Sequence, residues 1–170
     1  MLLGRRVVPV EAVYEQNKSD HEKEERSRGI VLFRVDESKK TTAEDRKQED
    51  LTFVGKFLRE IGIDHNTVVR IDRLGKLEQS KIEEGKARPL RVRFDSKEHK
   101  SETMANLKKL ANAAPIYKKV SVKHDLSVSE RETVREKIKE AREKTDNSEE
   151  FAYLVRGPPW NLRIIRVPKK

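Results

Sequence analysis

The sequence of 170 residues contains no cysteine. This absence excludes disulfide bonds, thiolate nucleophiles and cysteine-based zinc sites, and it is compatible with a reducing compartment. Apolar residues are also scarce, at 34% of the chain, which predicts that part of the chain is a tail and not core. No apolar run approaches the ~20 residues that span a bilayer. We therefore expect an intracellular protein, cytoplasmic or nuclear, that does not contact membranes.

Sequence patterns typical of catalysis or metal binding are also missing. The four histidines show neither HxxxH nor HxH spacing, and no Ser/His/Asp set, Walker segment or glycine-rich phosphate loop occurs. Acidic residues cluster between Asp36 and Asp50, but they surround a predicted helix N-terminus, where acids are favoured in any case. We expect a protein that is not an enzyme and needs no metal, cofactor or small-molecule substrate.

Positive charge is concentrated in the second part of the chain. Residues 1–64 contain 13 Lys/Arg and 14 Asp/Glu, a net charge of −1, whereas residues 65–170 contain 26 and 16, a net charge of +10, and together they give the net charge of +9. Lysine and arginine gathered on one part of a fold gain affinity for a polyanion by releasing counterions from phosphates. The alternative is a highly charged surface that only keeps the protein in solution.

The order of apolar and polar segments predicts an arm followed by an α+β domain. Residues 1–28 form a polar arm, interpreted as a solvated helix end or a flexible, disordered segment. The elements predicted next are a strand at 30–35, a helix at 45–61, strands at 67–71 and 89–94 with a mobile loop at 75–87, a helix between Ser96 and Pro115, and a strand at 120–122. This order predicts a split βαβ antiparallel sheet with two helices behind it, over residues 29–123.

Residues 124–170 have a different pattern and predict a small second subdomain. Ser127 and Glu130 have the spacing of a capping box, which begins a charged helix that reaches about Lys144. Two apolar segments, 151–156 and 160–167, flank a Gly-Pro-Pro turn and predict a β-hairpin. The segment from Phe151 onward contains five basic residues and no acidic one.

Several of these segments together resemble a known family. The segments are RGIVLFRVDES, a helix ending LREIG, RIDRLGK, RPLRVRF, and VSVKHDLSVSERETVREKIKEARE, and they cover residues 26–167 with their connections. They resemble the protein encoded by the first open reading frame of LINE-type non-LTR retrotransposons, including related and domesticated proteins. The resemblance implies an RRM-like domain followed by a C-terminal domain that together bind single-stranded nucleic acid, with chaperone or annealing activity.

Two arginines of the strand at 89–94 are the first candidates for nucleic-acid binding. Arg91 and Arg93 alternate with Leu90, Val92 and Phe94, so they share one face about 7 Å apart and are predicted to be presented to solvent. The alternative is that they pair with acids such as Asp72 across the sheet. The candidate nucleic-acid-binding residues are Arg70, Arg73, Lys76, Arg88, Arg91, Arg93, Lys123, Arg131, Arg135, Trp160, Arg163 and Arg166.

Aromatic residues give a weaker signal for binding. RRMs that stack bases carry aromatics on their central strands, whereas Phe33 and Phe94 are interpreted here as core residues, so binding is expected to use phosphates and to show weak sequence preference. Trp160 is interpreted as core of the hairpin, with base stacking between the subdomains as the alternative.

Two functions therefore stay open. The first is sequence-tolerant binding of single-stranded RNA or DNA, with RNA favoured, along the sheet face and the cleft between the subdomains. The alternative is a non-catalytic interaction module on an RRM-like fold, whose partner is a protein or a second copy of the chain.

Overall fold

The computed structural model describes the backbone of residues 10–169 and the side chains of residues 15–169. Residues 1–9 of the predicted arm and Lys170 lie outside the described residues. The chain divides into two compact units, of which the first ends at Asp125 and the second begins at Leu126. The division therefore falls two residues after the boundary at 123 predicted from the sequence.

The first unit contains a four-stranded antiparallel sheet in the order β2-β3-β1-β4. Helices connect β1 to β2 and β3 to β4, so the strands follow the split βαβ pattern, and the α+β prediction is confirmed. The strands are β1 (Gly29–Phe33), β2 (Val68–Arg73), β3 (Leu90–Phe94) and β4 (Ser121–His124).

Five helices accompany this sheet, with short 3₁₀ turns at His65–Thr67 and Leu107–Asn112. Two of them begin with a side-chain cap: Thr42 Oγ1 accepts the amide of Asp45, and Ser96 Oγ accepts the amide of His99. Residues 10–27 of the predicted arm are helical, which is one of the two interpretations given for the arm, whereas the loop at 75–87 differs from prediction because residues 79–83 form a short helix. The helices are α1 (Val10–Ser27), α2 (Ala43–Glu60), α3 (Gln79–Glu83), α4 (Lys97–Asn106) and α5 (Pro115–Lys118).

The hydrophobic core lies between one face of the sheet and the helices α2 and α4. Alternate residues of β1 and β3 point into it, and α2 supplies its apolar stripe, as the helical spacing predicts. Tyr117 joins the core through ring contacts with Phe53 and Phe57. The largest fully buried side chains include Phe57, Phe94, Ile30, Leu32, Leu58, Ile61 and Leu90. The opposite face of the sheet, called here the outer face, is left for other contacts.

The second unit consists of α6 (Val128–Asp146) and a hairpin of β5 (Phe151–Arg156) and β6 (Arg163–Pro168). The capping box of Ser127 and Glu130 begins α6 as predicted. At the other end of α6, Thr145 Oγ1 accepts the amide of Tyr153 at 2.7 Å, and Lys169 Nζ donates to the carbonyl of Thr145 at 3.1 Å. Ala141 is the only buried apolar residue in the described part of this unit.

Candidate nucleic-acid interface

The outer face of the sheet carries several of the predicted binding residues. Val31 of β1 lies directly opposite Arg91 of β3 on one side and Lys123 of β4 on the other. Paired residues of an antiparallel sheet point to the same face, so these three side chains share the outer face. Arg93 lies two residues further along β3 and belongs to it as well.

The two arginines of β3, Arg91 and Arg93, each pair with a carboxylate. Arg93 forms an ion pair with Glu25 of α1, and Arg91 lies 3.0 Å from a carboxylate oxygen of Asp125. Asp125 also accepts a hydrogen bond from Arg26 at 3.0 Å. Arg93 is only 8% exposed, so the prediction that both arginines are presented to solvent is wrong for Arg93. The physical reason is that α1 runs directly into β1 and places the carboxylate of Glu25 over β3.

Arg73 is held in the interior and connects three segments of the first unit. Its guanidinium donates twice to Asp50, at 3.0 and 2.5 Å, and also to the carbonyls of Val35, Arg88 and Asp36 at 2.8 to 2.9 Å. The side chain is 7% exposed. This geometry satisfies a planar guanidinium almost completely, so Arg73 fixes the segment after β1 against β2.

Arg88 makes a similar contact on the same side of the fold. It donates two side-chain hydrogen bonds to Glu37, at 2.9 and 3.0 Å, and its amide donates a third at 2.8 Å. Burial works to raise the pKa of Glu37, but the hydrogen bonds from Arg88 outweigh it and hold that pKa below its ordinary value. Glu37 is therefore a charged partner that a phosphate would have to displace.

The remaining predicted cations lie at the surface. Arg70 pairs with Asp72 at 2.7 Å, and Arg135 pairs with Glu132 at 3.3 Å. Arg131 donates a long hydrogen bond of 3.4 Å to the carbonyl of Ser127. Lys76 is exposed after Gly75 and forms no ion pair with any described residue. Exposed ion pairs are weak, so Arg70 and Arg135 can exchange a carboxylate for a phosphate at small cost.

Phe33 is placed differently from its predicted position. It pairs with Ser121 across the sheet and points to the outer face, where Lys123 Nζ lies 5.4 Å from the centre of its ring. The interpretation as a core residue is therefore wrong for Phe33, whereas Phe94 is fully buried in the core. One aromatic ring of the sheet stands on the outer face beside a cation.

The hairpin of the second unit brings cations together without acids. Arg156 lies directly opposite Arg163, next to the turn, and no described carboxylate pairs with either. Leu154 and Ile165 lie on the same face and are 37% and 39% exposed. Arg166 points to the other face, with its guanidinium 4.4 Å from the centre of the Phe151 ring.

Trp160 lies in the turn between the two hairpin strands. It is 71% exposed, so the interpretation as hairpin core is wrong. The turn is closed by a hydrogen bond from the amide of Asn161 to the carbonyl of Pro158 at 2.8 Å and by Gly157, whose φ is 101°. Gly157 is required here, because a Cβ at this position would lie 2.3 Å from the carbonyl oxygen of Asn161.

Two exposed arginines, Arg34 and Arg156, are not among the nucleic-acid-binding residues predicted from the sequence. Arg156 had a signal, since it is the last residue of a predicted hairpin strand in an acid-free segment. Arg34 had none, because its significance comes from a backbone conformation that local sequence does not reveal.

No group of three or more His, Asp or Glu residues is placed to hold a metal ion among residues 15–169. No described helix is both long and apolar enough to cross a membrane. Comparison with known proteins finds no family model that matches this chain and no curated protein that matches it.

Proposed function

We propose that this protein binds single-stranded nucleic acid, with RNA favoured over DNA, and that it does so with little choice of sequence and without catalysis. The observation that carries the proposal is the pair Arg156 and Arg163, which face each other across the hairpin in a segment without aspartate or glutamate. Like charges directly opposite each other in a sheet destabilise it, unless an anion lies between them.

A phosphate backbone supplies such an anion. Each arginine that contacts a phosphate releases counterions, and this gain does not depend on the base. Trp160 adds an exposed aromatic surface in the turn beside both arginines, and stacking on such a surface tolerates any base. The hairpin therefore offers both kinds of contact that single strands use.

The first unit contributes cations of two kinds. Lys76 and Lys123 form no ion pair with any described residue and are available to phosphates. The paired arginines of the sheet, Arg70, Arg91 and Arg93, bind phosphates only by exchanging their carboxylates. We expect the unpaired lysines to contribute more to affinity than the paired arginines.

The proposed origin of the chain follows from the sequence resemblance. We propose that the chain is a first-frame protein of a LINE-type retrotransposon or a host protein derived from one. This origin implies that it also has annealing activity. The α+β fold of the first unit and the helix and hairpin of the second agree with this assignment.

Binding of labelled oligonucleotides tests the proposal. Arg156→Gln/Arg163→Gln should weaken binding to all single-stranded sequences alike and reduce the slope of log K against log salt by about 1.4, at ~0.7 for each lost phosphate contact. The matched control is Lys139→Gln/Lys144→Gln, which removes the same charge from two lysines that pair with glutamates on α6. Equal losses in both variants would contradict a specific role of the hairpin.

A second function is favoured by the apolar pair Leu154 and Ile165. Both are exposed on the face that carries the two arginines, so this face also fits a protein partner with acidic and apolar side chains. If the full chain binds neither RNA nor DNA, single-stranded or duplex, the interaction module becomes the better account.

A further inference from the structure

Arg34 has an unusual backbone conformation for an arginine. Its φ is 63°, and it is the only non-glycine residue with a positive φ in the described part of the chain. This left-handed region is unfavourable for residues with a Cβ and is normally occupied by glycine. The residue directly follows β1, the strand between β3 and β4.

The surrounding structure explains the conformation but not the choice of arginine. Phe33 points to the outer face, and Val35, only 2% exposed, must enter the core immediately afterwards. The carbonyl of Val35 is also fixed by a hydrogen bond from Arg73 at 2.8 Å. The chain must therefore turn sharply at position 34, and glycine would make this turn with less strain.

The charge of Arg34 has no partner among the described residues. The side chain is exposed and takes part in no ion pair or hydrogen bond with a described residue. The nearest acids in sequence are engaged elsewhere, because Asp36 binds Lys119 at 2.7 Å and Glu37 binds Arg88 at 2.9 Å. The other arginines of the sheet, Arg70, Arg73, Arg91 and Arg93, all pair with carboxylates.

We propose that Arg34 binds a phosphate group of the single strand, at the end of β1 beside Phe33 and Lys123. This inference rests on the proposed function. A strained residue is retained where its side chain contributes to function, and here the unpaired guanidinium is the feature that glycine would lose. Phe33 and Lys123 already place an aromatic ring and an ammonium group 5.4 Å apart on the neighbouring outer face.

The test separates strain from binding. Arg34→Gly should raise the midpoint of thermal unfolding, because glycine adopts this φ freely. The same variant should weaken binding to single-stranded RNA about tenfold, the effect of one charged hydrogen bond, and reduce the salt slope by about 0.7. Arg34→Lys should keep most of the affinity. A gain in stability together with a loss of affinity is a result that a purely structural residue does not give.

Arg59→Gln is the matched control for Arg34→Gln. Arg59 is also exposed and without an ion pair to a described residue, but it lies at the end of α2, in the helix layer behind the sheet. The control should retain wild-type affinity. If Arg34→Gly and Arg34→Gln bind as tightly as the wild type, with an unchanged slope, the inference is wrong while the proposed function stands. If the wild type itself binds no nucleic acid, both are wrong.

Discussion

Replacement of Arg73 by alanine should destabilise the first unit strongly. The substitution removes all five hydrogen bonds that its guanidinium donates and leaves Asp50, whose side chain is 12% exposed, without its cationic partner. Three backbone carbonyls, those of Val35, Asp36 and Arg88, lose a donor at the same time. Arg73 is one of the residues that the sequence predicts to bind nucleic acid, so its actual role matters for the whole interface.

The size of the effect follows from burial. Removing one partner of a buried ion pair costs about 3–5 kcal/mol of unfolding free energy, because the remaining charge is left without solvent or counterion. Arg70→Ala is the matched control, since Arg70 pairs with Asp72 in the same strand but is 62% exposed. An exposed pair of this kind contributes about 0–1 kcal/mol. The two variants should therefore differ by several kcal/mol although each removes one arginine.

Urea denaturation of the full chain measures both values, and Arg73→Lys completes the series. Lysine keeps the charge but has no planar fork, so this variant should fall between the wild type and Arg73→Ala. The salt slope of nucleic-acid binding should be unchanged in each of the two Arg73 variants that remains folded. If Arg73→Ala loses less than about 1 kcal/mol and its salt slope falls, Arg73 is a binding residue and its structural role is refuted.

Three further predictions concern single positions. Gly29→Ala should lose about 1–3 kcal/mol of stability in denaturant titration, because its Cβ would lie 3.0 Å from the side chain of Asp125; unchanged stability would show that Asp125 moves freely. Trp160→Ala should change stability by less than about 0.5 kcal/mol but lose about 1–3 kcal/mol of oligonucleotide affinity, and the opposite pattern would make Trp160 structural. In NMR titrations, the imidazole of His99 should show a raised pKa, because of its hydrogen bond with Asp95, and that of His124 a lowered pKa, because of burial. The protonated His99 therefore stabilises the fold at pH values below its unfolded pKa, and this stabilisation is lost as pH rises through its folded pKa. His124 has the opposite effect, because protonating its buried ring destabilises the fold as pH falls below its unfolded pKa. If both pKa values shift in the same direction, at least one of these two predictions is wrong.

Local sequence patterns predicted the elements whose causes are local. The helical spacing of α2, the cap at Ser96 and the capping box at Ser127 all depend on residues within a few positions of one another. The strand order follows from the sequence of elements, since a split βαβ chain has few ways to form one antiparallel sheet. The α+β fold was therefore predictable without long-range information.

The state of the arginines was not predictable in the same way. Alternation in β3 correctly assigned Arg91 and Arg93 to the face opposite the core, but it carries no information about what covers that face. Their partners are distant in sequence, and Glu25 is 68 residues from Arg93. Which arginines are paired with carboxylates and which are not depends on long-range packing. For this reason the sequence predicts that Arg73 binds nucleic acid, although its side chain is buried, and gives no signal for Arg34.

A salt titration of the full chain with single-stranded RNA, single-stranded DNA and the matching duplexes tests the central claim most directly. The account predicts that log K falls linearly with log salt, with a slope of about −1.4 or steeper for single strands, since the two hairpin arginines Arg156 and Arg163, at ~0.7 each, set its lower bound. It also predicts that single strands bind more tightly than duplexes, that RNA binds at least as tightly as DNA, and that strands of different sequence differ little. Binding that is independent of salt, confined to duplexes, or absent from all four nucleic acids would contradict it.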